Sequence, residues 1–134
     1  MRHVVVVEDD PVNASLFLRL LERRGKMRVT VTESAEELIE LVRGGGVSLV
    51  VMDVSLRSTS WQGKAVNGVD LCRMLRGDPA TAGVPIVLAT SHAMRGDGER
   101  LLQESGADDY VSKPVVDHQD FIARVVRWIE AEAA

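Results

Sequence analysis

Val4-Val5-Val6-Val7-Glu8-Asp9-Asp10 is the stretch on which the fold turns. Four β-branched residues in a row suit a strand buried on both faces, the kind found inside a parallel sheet. The three acids that follow cannot share that environment and mark the strand's end. Two later stretches repeat the design. Val47–Met52 is an apolar run that ends at Asp53, and Val84–Ala89 is one that ends at Thr90-Ser91. Pro85 is tolerable near the start of that strand. Arg28–Thr32 instead alternates, with Val29 and Val31 on one side, as a half-buried edge strand does. Asp109–Ser112 is a short fifth strand, followed by Lys113-Pro114.

Helical patterns fill the gaps. Asn13–Arg24 carries Leu16, Phe17, Leu20 and Leu21 at helical spacing and stops at Gly25. Ser34-Ala35-Glu36-Glu37 reads as a capping box before Leu38, Leu41 and Val42, and Gly44-Gly45-Gly46 ends that helix. Asn67–Arg76, Gly98–Ser105 and Asp117–Ala131 are the remaining three, the last with a stripe of Phe121, Ile122, Val125, Val126 and Ile129. Strict alternation of buried strands with helices implies a parallel sheet covered on both faces. The crossovers are then right-handed.

Composition narrows the class. The chain has 134 residues, 46% hydrophobic and 27% charged, which suits one α/β domain over 1–134 and argues against disorder. A net charge of −4 disfavours broad capture of nucleic acid. No apolar run approaches the ~20 residues that span a bilayer, and no secretion signal opens the chain, so a cytoplasmic protein is expected. Cys72 is the only cysteine, which excludes an intramolecular disulfide and a CxxC metal site.

In open α/β sheets ligands sit beyond the carboxyl ends of the strands. Those ends carry Glu8-Asp9-Asp10, Asp53, Thr90-Ser91 and Lys113. If the first and third strands are neighbours, several carboxylates converge. Such a group must either share a proton or bind a hard divalent cation. Carboxylates with Mg²⁺, a lysine and a hydroxyl form a set suited to phosphoryl transfer onto an aspartate. Asp53, alone at its strand end, is the candidate nucleophile, and Glu8 and Asp9 are candidate metal holders. Each residue also has an ordinary use: acidic pairs cap helices, Thr90-Ser91 caps a helix, and Lys-Pro is an ordinary loop dipeptide. The conjunction in this order is the signal.

With these motifs the sequence resembles the receiver domain of two-component response regulators, over about residues 3–131. The stretches that carry the resemblance are Val4–Asn13, Val50–Asp53, Pro85–Met94 and, most specifically, Gly106–Pro114. The first and third look most like the single-domain, DivK-like regulators. The resemblance implies a flavodoxin-like (βα)5 fold with strand order 2-1-3-4-5. It implies that Asp53 accepts a phosphoryl group from a histidine kinase or phosphotransfer protein. Asp9, Asp53 and the carbonyl of Ser55 would ligate Mg²⁺, with Glu8 reaching it through water. Lys113 would pair with the phosphate. Thr90 would hydrogen-bond it, and Tyr110 would turn inward as Thr90 moves. The product is a signal read by a downstream effector protein, with no direct contact to nucleic acid or membrane. A phosphorylation-linked dimer is compatible with it. Such a chain is a switch that slowly loses its own phosphoryl group, not an enzyme for outside substrates.

Two alternatives compete: a degenerate receiver used only for docking, and a phosphatase with an Asp nucleophile. Against the phosphatase, Ser55 stands where a second acid would be needed. The main departure from the family is the stretch Val54–Asn67, a longer loop that holds Arg57 in place of the usual Pro, and also Trp61 and Lys64. It reads either as a lid or docking element with Trp61 as anchor, or as a surface insertion with Trp61 folded back. Ser55 and His92 flank the expected path of attacking water. Cys72, Met74 and Met94 read as packing residues. Trp128 falls off the stripe of the last helix, as a contact residue or as cover for its edge. Nothing follows the last helix, so no output domain is expected.

Overall fold

The computed structural model of the protein describes residues 1–91 and 97–133. Five strands form one parallel sheet: β1 (His3–Val7), β2 (Arg28–Thr32), β3 (Leu49–Asp53), β6 (Ile86–Thr90) and β7 (Asp109–Ser112). Their order is β2-β1-β3-β6-β7, which is the flavodoxin-like order expected once two short strands, β4 (Ser60–Trp61) and β5 (Lys64–Ala65), are set aside. The helices are α1 (Pro11–Arg19), α2 (Ala35–Arg43), α3 (Gly68–Gly77), α4 (Asp97–Ser105) and α5 (His118–Ala133). None is long and apolar enough to cross a membrane.

Alternation along the strands divides the core into two layers. Val4, Val6, Leu49, Val51 and Val87 face Phe17 of α1, Leu21 just after it, and Phe121 and Val125 of α5. Val5, Val7, Val50, Met52 and Leu88 face Leu38, Leu71 and Leu75 of α2 and α3. Every residue of β1, β3 and β6 is buried, as a sheet covered on both sides requires. The Phe17 and Phe121 rings meet at 5.4 Å between centroids, which ties α1 to α5. β2 lies at the edge, with Val29 packed inward but Val31 36% exposed, so only half of its expected apolar face is used.

Several boundaries differ from the sequence reading, each for a local reason. The first helix starts at Pro11, because Asp10 caps it by accepting the Val12 N–H at 2.9 Å and Pro suits the first helical position. It does not continue as α-helix to Arg24. Leu20–Arg24 forms one turn of π-helix, closed by the Gly25 N–H on the Leu20 carbonyl. The strand expected from Val84 begins at Ile86. Pro85 brings no N–H to the ladder, although its carbonyl still accepts from Val50. The capping box at Ser34 is only half formed: its hydroxyl accepts from the Glu37 N–H, but its own N–H goes to the Thr32 hydroxyl. The reciprocal box sits instead at α3, between Asn67 and Asp70.

The long loop is not shapeless. β4 and β5 pair as an antiparallel hairpin around Gln62-Gly63, both at positive φ (52° and 83°), the geometry of a tight primed turn. Trp61 is half-buried and packs against the α2–α3 layer, so it is folded back on the domain rather than held out as an anchor. Cys72 is fully buried among apolar neighbours, and Met74 packs against the same layer. Trp128 covers the edge of α5, and its ring N–H donates to Asp109 at 3.0 Å, beside two hydrogen bonds from Arg124. His92 and Met94 lie outside the described residues.

Candidate functional site

Parallel pairing brings the carboxyl ends of β1, β3, β6 and β7 to one edge of the sheet. Val7 is level with Met52, Asp53 with Ala89, and Thr90 with Ser112. The residue after each register pair therefore leaves the sheet at the same height. Glu8, Asp9 and Asp53 each place a carboxylate oxygen within 4.8 Å of the others. Lys113 arrives from the end of β7 and bridges two of them. Its ammonium donates to Asp53 Oδ1 at 2.8 Å and to Glu8 Oε1 at 3.0 Å. Asp53 Oδ1 also accepts the Ser55 N–H at 3.2 Å. A cleft of about 580 Å³ opens over this group, lined by Asp9, Asp10, Asn13, Asp53, Ser55, Arg57, Ser58, Ser91, Lys113 and Pro114.

A model of the response regulator receiver domain matches residues 4–126. The chain belongs to the receiver domain family. Polar-differentiation response regulator DivK of Brucella ovis is 32% identical over 114 residues, 85% of each chain. The receiver domain of sensor histidine kinase PA1611 of Pseudomonas aeruginosa, described with magnesium coordinated in its active-site cleft, superposes with a TM-score of 0.78. It is 27% identical and covers 96% of this chain and 98% of its own. A sensor protein of Polaromonas sp. JS666 gives 0.80 at 27% identity, with 98% of both chains covered.

The receiver's acids are not equivalent. Glu8 and Asp53 are each 3% exposed, and Lys113 is their shared counter-charge. Burial pushes the Glu8 carboxyl up to about 7, the Asp53 carboxylate beside it adds to that, and Lys113 only partly opposes it. Burial acts on Asp53 in the same direction. It is outweighed by the neighbouring Glu8 carboxyl and by hydrogen bonds from Lys113 and the Ser55 N–H, which hold Asp53 below the usual carboxylate range. Burial would lower Lys113, yet its two carboxylate partners raise it. Below about pH 7 the metal-free pair thus holds one proton, kept by Glu8, while Asp53 stays ionised.

Among the described residues, Glu8 Oε2 is a buried side-chain oxygen with no hydrogen-bond partner. An orphaned carboxylate oxygen beside two further carboxylates is an all-oxygen donor set, the chemistry of a hard divalent cation. The residues present therefore fit Mg²⁺. Asp10, which precedes the cleft in the same acidic run, is spent on capping α1 and on the Asn13 amide.

Thr90 is buried at the end of β6, and the Lys113 N–H donates to its carbonyl at 2.9 Å. Tyr110 is half-buried with the α2–α3 layer, its ring packed directly on Gly98 at the start of α4. Two contacts were not read from the sequence. Arg57 donates its backbone N–H to Asp9 Oδ2 at 2.7 Å, and Gly68 abuts the Asp53 carbonyl. The sequence carries no signal for the first beyond the unusual residue at 57. The second could be suspected from a glycine placed at a helix start just after a polar loop.

The raised Glu8 carboxyl sets a pH dependence. Between its ordinary 4.5 and about 7 the folded chain holds a proton that the unfolded chain has lost. Stability of the metal-free protein therefore falls as pH rises through that window, by ~1.4 kcal/mol per pH unit at most and about 3 kcal/mol in all. Urea unfolding in a chelator at pH 5 and pH 7.5 measures it. Glu8→Gln removes the slope. Equal stability at both pH values in the unmodified chain contradicts the assignment.

Proposed function

We propose that this receiver is a phosphorylation-dependent switch. It takes a phosphoryl group on Asp53 from a phosphohistidine of a histidine kinase or phosphotransfer protein, and it signals through altered contacts with an effector protein. The observation that carries the reading is the Lys113 bridge between Asp53 and Glu8 at the mouth of the cleft. Asp9, Asp53, Glu8 and the carbonyl of Ser55 are the proposed Mg²⁺ holders. The PA1611 receiver, with magnesium in its cleft, supports that extension. When bound, Mg²⁺ supplies charge neutralisation for phosphoryl oxygens.

The chain's own residues do the rest. A carboxylate oxygen of Asp53 attacks the phosphorus of the donor. The new O–P bond forms as the P–N bond to the imidazole breaks, and the electron pair leaves on the ring nitrogen. Lys113 already sits on Asp53 and is placed to follow the negative charge onto the phosphoryl oxygens. Thr90, buried at the adjacent strand end, offers its hydroxyl to the same group. Movement of Thr90 frees or fills space beside Tyr110, whose ring bears on α4, so that helix is the element biased by phosphorylation.

Acetyl phosphate with Mg²⁺, followed by intact mass spectrometry, tests the reading. The expected adduct is ~80 Da, one phosphoryl group, present in the unmodified chain and absent in Asp53→Asn. No adduct on the unmodified chain favours a docking module, and an adduct that survives in Asp53→Asn removes Asp53 from the role. Steady turnover of outside phosphate esters favours a phosphatase.

A further inference from the structure

The cleft over Asp53 has two basic side chains among its described lining residues, Lys113 and Arg57. The first is committed to Asp53 and Glu8. The second is not. The Arg57 backbone N–H is fixed on Asp9 Oδ2, yet its guanidinium makes no hydrogen bond or ion pair with a described residue. Arg76 and Arg124, by contrast, are both tied to aspartates.

The backbone at Arg57 is held from both sides. Behind it, Ser55 bonds Asp53. Ahead, the Thr59 hydroxyl donates to the Glu33 carbonyl at 2.8 Å, and the Val66 N–H donates to the Thr59 carbonyl at 3.1 Å, closing the base of the β4–β5 hairpin. The hairpin thus acts as a brace that keeps Arg57 at the rim of the cleft. Its long side chain starts one hydrogen bond from Asp9, whose carboxylate is itself within 4.8 Å of Asp53.

Charge accounting shows what such a cation would do. With a phosphoryl group on Asp53 and a divalent cation in place of the Glu8 proton, the site holds the Glu8 and Asp9 carboxylates and a group of about −2. The divalent cation and Lys113 leave roughly one negative charge unbalanced. A guanidinium, with several N–H donors in a planar fork, matches phosphoryl oxygens that Lys113 does not reach.

We infer that Arg57 is a second cationic contact for the phosphoryl group on Asp53, positioned by the hairpin of the 54–67 loop. This rests on the phosphoryl-accepting reading above. It gives the extended loop a chemical task at the acceptor site.

The test uses beryllofluoride, a phosphoryl mimic made from beryllium chloride and sodium fluoride, titrated calorimetrically into the full chain with Mg²⁺. Mg²⁺ alone is titrated in parallel. Arg57→Ala keeps the backbone N–H on Asp9 and removes only the guanidinium. Beryllofluoride is expected to bind it at least tenfold more weakly, with Arg57→Lys recovering part of the loss. Mg²⁺ alone is expected to bind Arg57→Ala as well as, or better than, the unmodified chain, because a nearby positive charge is gone. Unchanged beryllofluoride affinity in Arg57→Ala overturns the inference. So does an equal loss for beryllofluoride and Mg²⁺, which would assign Arg57 a structural role. If the unmodified chain itself binds no beryllofluoride, the phosphoryl-accepting reading falls and this inference falls with it.

Discussion

Lys113→Met is expected to destabilise the metal-free protein by about 3–5 kcal/mol at pH 8, the cost of breaking a buried ion pair from one side. Among the described residues, the lysine ammonium is the only cation paired with these two carboxylates, each 3% exposed. Methionine keeps the aliphatic stem and removes the charge. Lys113 holds the Glu8 carboxyl down, so its loss raises that carboxyl above about 7, and at pH 8 the variant must either keep a proton on Glu8 or ionise it without a counter-charge. In the ionised form two like charges face each other with no ammonium between them. At pH 5 Glu8 carries a proton and can donate to Asp53, so most of the loss is expected to disappear. Mg²⁺ should rescue the variant more than it stabilises the unmodified chain, because it no longer competes with an ammonium for the same oxygens. Urea unfolding at the two pH values, with and without Mg²⁺, measures all three effects. A loss that is identical at pH 5 and pH 8 would point to packing of the stem and not to charge.

Gly68→Ala is the second large effect. A β-carbon at Gly68 would lie inside the van der Waals envelope of the Asp53 carbonyl oxygen, 2.8 Å from the Asp53 carbonyl carbon and 3.0 Å from Met52 Cγ. Two of these three are backbone atoms of β3, which cannot swing aside. The first turn of α3 must then move off the end of the strand that carries Asp53. Overpacking of this kind costs about 2–3 kcal/mol. If Asp53 is the acceptor we propose, displacing its carboxylate by even a fraction of its hydrogen-bond length should slow phosphoryl uptake from acetyl phosphate by roughly 10²-fold. Gly77→Ala is the matched control: it lies in the same helix with no heavy atom within 4 Å of the added carbon, so little change is expected. The comparison isolates contact with Asp53 from helix propensity. If both variants unfold at the same urea concentration, the close approach is not stabilising in solution.

Much of this architecture was legible before any coordinates. The valine run, the apolar stretches ending at Asp53 and at Thr90, and the amphipathic helices are short-range patterns. Burial on two faces and on one face produces different periods. The places where the reading missed are those where neighbours in space override neighbours in sequence. Ser34 reads as a full capping box, but the Thr32 hydroxyl takes its N–H. Leu20–Arg24 continues the helical spacing of α1, yet an extra residue is accommodated in that turn while Leu20 and Leu21 remain buried. Trp61 has no local cue that separates an outward anchor from an inward plug. Its packing against the α2–α3 layer depends on where the hairpin lands.

Residue types and their order along the chain were enough to specify a parallel sheet whose acids, hydroxyl and lysine all leave at strand ends. Hydrophobic period and turn chemistry act over a few residues, so a linear reading captures them. Which carboxyl keeps the proton could not be read that way. Glu8 and Asp53 are both simple carboxylic acids, and Lys113 is 105 residues from the first and 60 from the second. Only folding takes that trio out of bulk water and sets the distances among them, and below about pH 7 those distances leave one acid neutral and the other charged.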